Sequence, residues 1–172
     1  GYSLEWWRRQ CGAVMQEGYL FSDTIARNIA ISDEEPDIDR VRAAARVANI
    51  ADYIEALPLA YNTLIGQDGQ GISQGQRQRL LIARVVYKDP RIVFLDEATN
   101  ALDTKNERLI TDRLRTFYAG KTVVVVAHRL STVRDADHIV VLDGGRIVEN
   151  GTHDELTARR GKYYNLVRNQ LE

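Results

Sequence analysis

The residues best placed to do chemistry are Asp96 and Glu97, adjacent carboxylates that close the apolar run Ile92-Val93-Phe94-Leu95. Such a run suits a buried strand that delivers acid groups to its exposed tip. There one carboxylate can hold a hard divalent cation, directly or through water, and the other can position or deprotonate an attacking water. Upstream, Ser73-Gln74-Gly75-Gln76 reads as a helix amino terminus with little bulk at Gly75. Its backbone N–H groups, the positive end of the helix dipole and the Ser73 hydroxyl can all face an anion. Downstream, His128 follows a second apolar run over 122–127, at the strand end where parallel sheets bind ligands. Gln16 closes a first short strand over 12–16 and can reach a metal or a water. Taken singly, each has a plainer reading: acids that end a strand, a capped helix, a structural histidine, a surface glutamine.

The elements that must position these groups follow from local pattern. Asp23-Thr24 can cap a helix running to about 31, and Pro36 ends the acidic loop over 32–36. Val41, Ala44, Ala45 and Ala48 fit helical spacing, and a short helix over 51–57 closes at Pro58. Ser73 and Gln76 stand in a capping-box relation and open a long helix to about 88, before Asp89-Pro90. The remainder alternates: strand 91–95, helix 104–118, strand 122–127, a short helix over 131–134, and strand 138–142. The runs 92–95 and 123–126 are apolar throughout, which suits parallel strands buried on both faces. Leu142-Asp143-Gly144-Gly145-Arg146 makes a hairpin turn, and Thr152-His153-Asp154-Glu155 is a second capping box before the terminal helices. The pattern is α/β with a helical insert between about 17 and 88.

Composition sets bounds. At 172 residues, 44% hydrophobic and 27% charged, the chain is about one domain with a sizeable core. A net charge of −1 gives no global pointer to nucleic acid or an anionic membrane. Arg77, Arg79 and Arg84 cluster on the long helix and read as a solvated face. Cys11 is the only cysteine, which excludes an internal disulfide, fits a reducing compartment and reads as packing. No apolar stretch approaches the roughly 18 residues of a membrane span. His138 and His153 read as structural. Gly120-Lys121-Thr122 imitates the end of a P-loop, but Arg115 stands where the first glycine belongs and a strand follows instead of a helix.

In their order, these pieces resemble the nucleotide-binding domain of ABC transporters over essentially the whole chain. Val14-Met15-Gln16-Glu17 looks like the Q-loop, and Tyr19-Leu20-Phe21 through Asn28-Ile29 like its continuation in exporters. Ile72-Ser73-Gln74-Gly75-Gln76 resembles the signature motif LSGGQ, Ile92 to Glu97 Walker B, Ala101-Leu102-Asp103 the D-loop, and His128 the switch histidine. The resemblance implies a P-loop NTPase-like parallel sheet with a helical subdomain over about 17–88, and over 89–172 Walker B, D-loop, switch histidine and terminal helices. It implies Asp96 for Mg²⁺, Glu97 for catalytic water, His128 for the γ-phosphate, and Gln16 for Mg²⁺ or water and communication with a membrane domain. Ser73, Gln74, Gly75 and Gln76 would meet ATP held by a second nucleotide-binding domain, and Asp103 would work across that interface. Thr63-Leu64-Ile65-Gly66-Gln67 resembles the exporter loop that touches the transmembrane domain.

Two departures bear on this. Gln74 stands where the signature has its first glycine, and together with Glu97-Ala98-Thr99-Asn100-Ala101-Leu102-Asp103 this wording looks most like bacterial peptide or bacteriocin exporters. The family's Walker A loop, with its flanking strand and helix, precedes the Q-loop, and only Gly1 to Cys11 lie before that segment here. The expectation is therefore a domain truncated at its amino terminus, which alone hydrolyses no ATP and exposes apolar sheet surface. The parent would be a transport ATPase, a homodimer in its nucleotide-binding domains, at the cytoplasmic face of a bacterial inner membrane, using ATP and Mg²⁺ without nucleic acid. The alternatives are a non-transport ABC ATPase of DNA repair or translation, and a non-catalytic module completing a partner's ATP site.

Overall fold

The computed structural model of the chain describes residues 3–16, 18–66, 71–96, 98, 102, 104–126 and 133–168. They fall into two compact units, Gly1–Val124 and Val125–Glu172. The first opens with α1 (Leu4–Gln10), which periodicity alone does not announce. Its signals are local: Ser3 accepts from the Trp6 amide at 3.1 Å, and Arg9 pairs with Glu5 one turn away at 2.5 Å. The chain then enters β1 (Cys11–Val14), which starts one residue before the strand expected over 12–16 and ends two residues before Gln16.

β1 lies parallel to β4 (Ile92–Asp96), with Cys11 opposite Ile92 and Val14 opposite Leu95. β5 (Thr122–Val126) runs along the other side of β4, so the order is β1-β4-β5. A Cβ on Gly12 would stand 2.7 Å from Pro90 Cγ, so only glycine lets β1 approach this closely. The valines of β5 correct the expectation of a strand buried on both faces: Val124, Val125 and Val126 are 42%, 39% and 53% exposed. The reason is position, because β5 ends the sheet and has no partner strand on its outer edge among the described residues.

Between β1 and β4 the chain is helical, as its apolar spacing predicts: α2 (Ile25–Ile29), α3 (Ile38–Val47), α4 (Ala51–Glu55) and α5 (Gln74–Lys88). Thr24, Asp37 and Ser73 cap α2, α3 and α5 by accepting first-turn amides. One core gathers Ile25, Ile29, Val41, Ala45, Ile54, Leu80, Ile82 and Val93 with Ile110 and Leu114 of α6 (Thr104–Tyr118). Each large aliphatic side chain buried there contributes about 1.5–3 kcal/mol. A pairing that no local pattern encodes joins β2 (Asp23–Thr24) to β3 (Leu64–Ile65) in a short antiparallel ladder.

In the second unit, β6 (Ile139–Asp143) and β7 (Arg146–Gly151) form the expected hairpin. Gly144 and Gly145 turn it with φ of 55° and 74°, the left-handed pair a tight primed turn requires. Two helices follow, His153–Arg159 and Lys162–Val167, the first opened by the Thr152/Glu155 capping box. Glu149 starts the second by accepting from the Lys162 and Tyr163 amides at 3.0 and 2.7 Å. Ile139, Val141, Leu156, Tyr163 and Val167 make this unit's small core. No helix among the described residues is long and apolar enough to cross a membrane.

Candidate functional site

The parallel register of β1 and β4 decides where the chemistry sits. With Val14 opposite Leu95, both strands leave the sheet at the same edge. Asp96 is the last residue of β4 and half-buried, and Gln16 follows the end of β1 and is exposed. Asp96 at the end of β4 and Gln16, two residues past β1, thus follow their strands at the same carboxyl edge of a parallel pair, where open α/β sheets place their ligands. Both offer hard oxygen donors, the type Mg²⁺ accepts together with phosphate oxygens and water. Glu97, Asp103 and His128, the other groups expected at this centre, lie outside the described residues. Among those described, no cluster of three or more acidic, histidine or cysteine side chains could hold a metal unaided.

The amino terminus of α5 is built as its sequence foretells. Ser73 Oγ accepts from the Gln76 amide at 3.2 Å, while Gln76 Oε1 accepts from the Ser73 amide at 2.8 Å. This reciprocal cap leaves the first-turn amides of Gln74 and Gly75 without helical acceptors. Ser73 and Gln74 are exposed, so amides, hydroxyl and helix dipole together can receive an anionic group from outside this chain. The helix is anchored by buried Leu80, Leu81, Ile82, Ala83 and Val85, and it packs on α2, α3 and β1.

The arginines of α5 do not form a solvated face. Arg77 is exposed, but Arg79 donates to the Asn49 carbonyl at 2.8 Å. Arg113 of α6 reaches the same turn, donating to the Arg46 carbonyl and to Asn49 Oδ1. Arg84 donates through Nε to the Asn28 carbonyl at 2.8 Å, through Nη1 to the Tyr19 carbonyl at 2.9 Å, and through Nη2 to Asn28 Oδ1 at 3.3 Å. Burial lowers the Arg84 pKa below the ordinary arginine value, yet a guanidinium stays charged. Asn28, only 1% exposed, binds both the amide and the carbonyl of Phe21 at 2.8 and 2.9 Å and the Thr24 carbonyl at 3.1 Å. The available signal was register: Arg84 follows Leu80 by four residues and Leu81 by three, so it sits on the buried stripe.

The remaining expectations resolve simply. Lys121 pairs with Asp89 at 2.8 Å, Gly120 has φ of 74°, and β5 follows, so Gly120-Lys121-Thr122 is a turn into a strand. His153 Nδ1 lies 2.8 Å from the buried Tyr163 hydroxyl, a structural contact, whereas His138 is exposed. Cys11 is half-buried.

Fold and site together define an α/β domain with an acid and an amide at one edge of a parallel pair and, elsewhere, a capped helix end open to an anion. The model of the family described as ABC transporter matches residues 2–100. An ATP-dependent lipid A-core flippase of Burkholderia pseudomallei is 49% identical over 171 residues, covering 99% of this chain and 28% of the relative. ABC transporter B family member 2 of Dictyostelium discoideum is 48% identical over 163 residues, 95% of this chain and 12% of that protein. A solved structure of a bacterial Atm1-family ABC exporter with ATP bound is similar at a TM-score of 0.91 and 42% identity, over 98% of this chain and 29% of its own. The chain belongs to the ABC transporter family. It spans about 28% of the length of the flippase it matches.

Proposed function

We propose that this chain serves as part of the ATP-hydrolysing domain of an exporter, working in a dimer beneath a transmembrane domain at the cytoplasmic face of a membrane. The observation that carries the reading is the β1/β4 register, which brings Gln16 and Asp96 out at one edge. In this reading, residues 17–88 are the helical subdomain with the signature and 89–172 the remainder of the core. Asp96 holds Mg²⁺, with Gln16 able to reach the ion or a water, and the ion when bound supplies charge neutralisation of the phosphates. Glu97 positions the attacking water and takes its proton, and His128 donates to the γ-phosphate. Ser73, Gln74, Gly75 and Gln76 face the nucleotide of the opposite domain, and Asp103 contacts across the interface. Several relatives are lipid A-core flippases, which favours an amphipathic lipid over a peptide as the exported substrate.

The test is made on the full-length protein in lipid. Glu97→Gln should lower Mg-ATPase kcat by about 10²–10⁴-fold while ATP binding persists. Lipid A-core should stimulate the unmutated protein where peptides do not. The 172-residue chain alone should show no Mg-ATPase. Hydrolysis that survives Glu97→Gln would remove the catalytic assignment, and stimulation by peptides alone would reverse the substrate class.

A further inference from the structure

The junction between α5 and the stretch that follows Gln16 is held by one guanidinium and one carboxamide. Arg84 donates from all three side-chain nitrogens, to the Asn28 carbonyl, the Tyr19 carbonyl and Asn28 Oδ1, with no carboxylate among its hydrogen-bonded partners in the described residues. Asn28 in turn fixes the Phe21 amide and carbonyl and the Thr24 carbonyl. An apolar side chain would fill this buried stripe without the cost of desolvating a charge. Only a planar fork with several N–H groups in fixed directions can tie two separate carbonyls and an amide oxygen at once. The stretch so tied carries Tyr19 and Phe21, an exposed edge-to-face pair with centroids 5.1 Å apart. At the other end of the same continuous helix stands Ser73.

We infer that Arg84, with Asn28, is a positioning residue that makes Tyr19–Thr24 and α5 move as one body. A partner gripping the Tyr19/Phe21 pair thereby moves the Ser73 end of α5, and a ligand at Ser73 moves the aromatic pair. A helix is stiff enough to carry such a displacement, provided the junction does not slip. This inference rests on the reading that the Ser73 end of α5 meets nucleotide.

The test is hydrogen–deuterium exchange on the full-length protein in a Glu97→Gln background, with and without Mg-ATP. ATP should change exchange over 73–80 and over 19–24 together. Adding Arg84→Ala should keep the response at 73–80, abolish it at 19–24, and speed exchange at the Phe21 amide by about tenfold. Arg84→Lys keeps the charge but not the fork and should respond in between; if Arg84→Ala does not fold, this variant decides. A response at 19–24 that persists without the fork overturns the inference, as does a background protein in which 73–80 responds and 19–24 does not. If 73–80 itself is silent to ATP, the nucleotide reading of Ser73 fails and the inference falls with it, a pattern distinct from slippage at Arg84.

Discussion

Ser73 carries two demands that must be separated before its chemistry can be read. Its Oγ is an acceptor in the capping box of α5, and the same hydroxyl faces outward where an anion would sit. Ser73→Ala should therefore lower stability by about 1 kcal/mol, roughly 2–4 °C in Tm at this size, and Ser73→Thr should restore most of it. Thermal unfolding of the two variants reads this; an alanine variant as stable as the parent would mean that Gln76 alone holds the cap. The cap was legible because it is written within four consecutive residues. Arg84 was not, because its three acceptors lie more than fifty residues upstream and only the packing of α5 against α2 brings them within reach.

Among the elements, the β2–β3 ladder depends on one glycine. Gly66 follows β3 with φ of 111°, and a Cβ there would stand 2.8 Å from Ser22 Cα. Gly66→Ala meets both a disfavoured backbone and a backbone contact that cannot swing aside, so it should cost about 1–3 kcal/mol. Urea unfolding measures the loss, and faster amide exchange at Ile65 would locate it. An alanine variant of unchanged stability would show that the ladder is dispensable. Helices α2, α3 and α5 were readable from capping residues and apolar spacing, both local properties. The β2–β3 pair was not, because two-residue strands carry no periodicity. For β5, an all-apolar run announced a strand, while its exposure depended on which strands flank it.

For the molecule as a whole, alkaline pH probes how well the first unit keeps its phenols neutral. Burial, with Glu55 beside it, pushes Tyr61 up to about 12. Burial and the hydrogen bond to Asp33 raise Tyr87, and burial raises Tyr118. A phenol whose folded pKa is raised contributes stability that is complete below the unfolded value, about 10, and lost as pH rises through the folded one. Unfolding free energy should accordingly fall above about pH 10, and tyrosinate absorbance should appear together with loss of structure. Tyr87→Phe should flatten part of that decline, at the expense of the 2.5 Å bond to Asp33. Free titration of these phenols in the folded state would contradict the burial argument.

The sequence by itself determined the α/β class, the capped helices, the hairpin and the identity of the chemical groups, since each rests on composition, period or a handful of neighbouring residues. Five motifs in order also determined the family. The tertiary structure alone decided that Gln16 and Asp96 share an edge, because strand register is a relation between segments and not a property of either. It alone turned Arg79 and Arg84 from a presumed solvated face into clamps on distant carbonyls. A guanidinium drawn partly out of water must find acceptors, and which ones it finds is settled by packing.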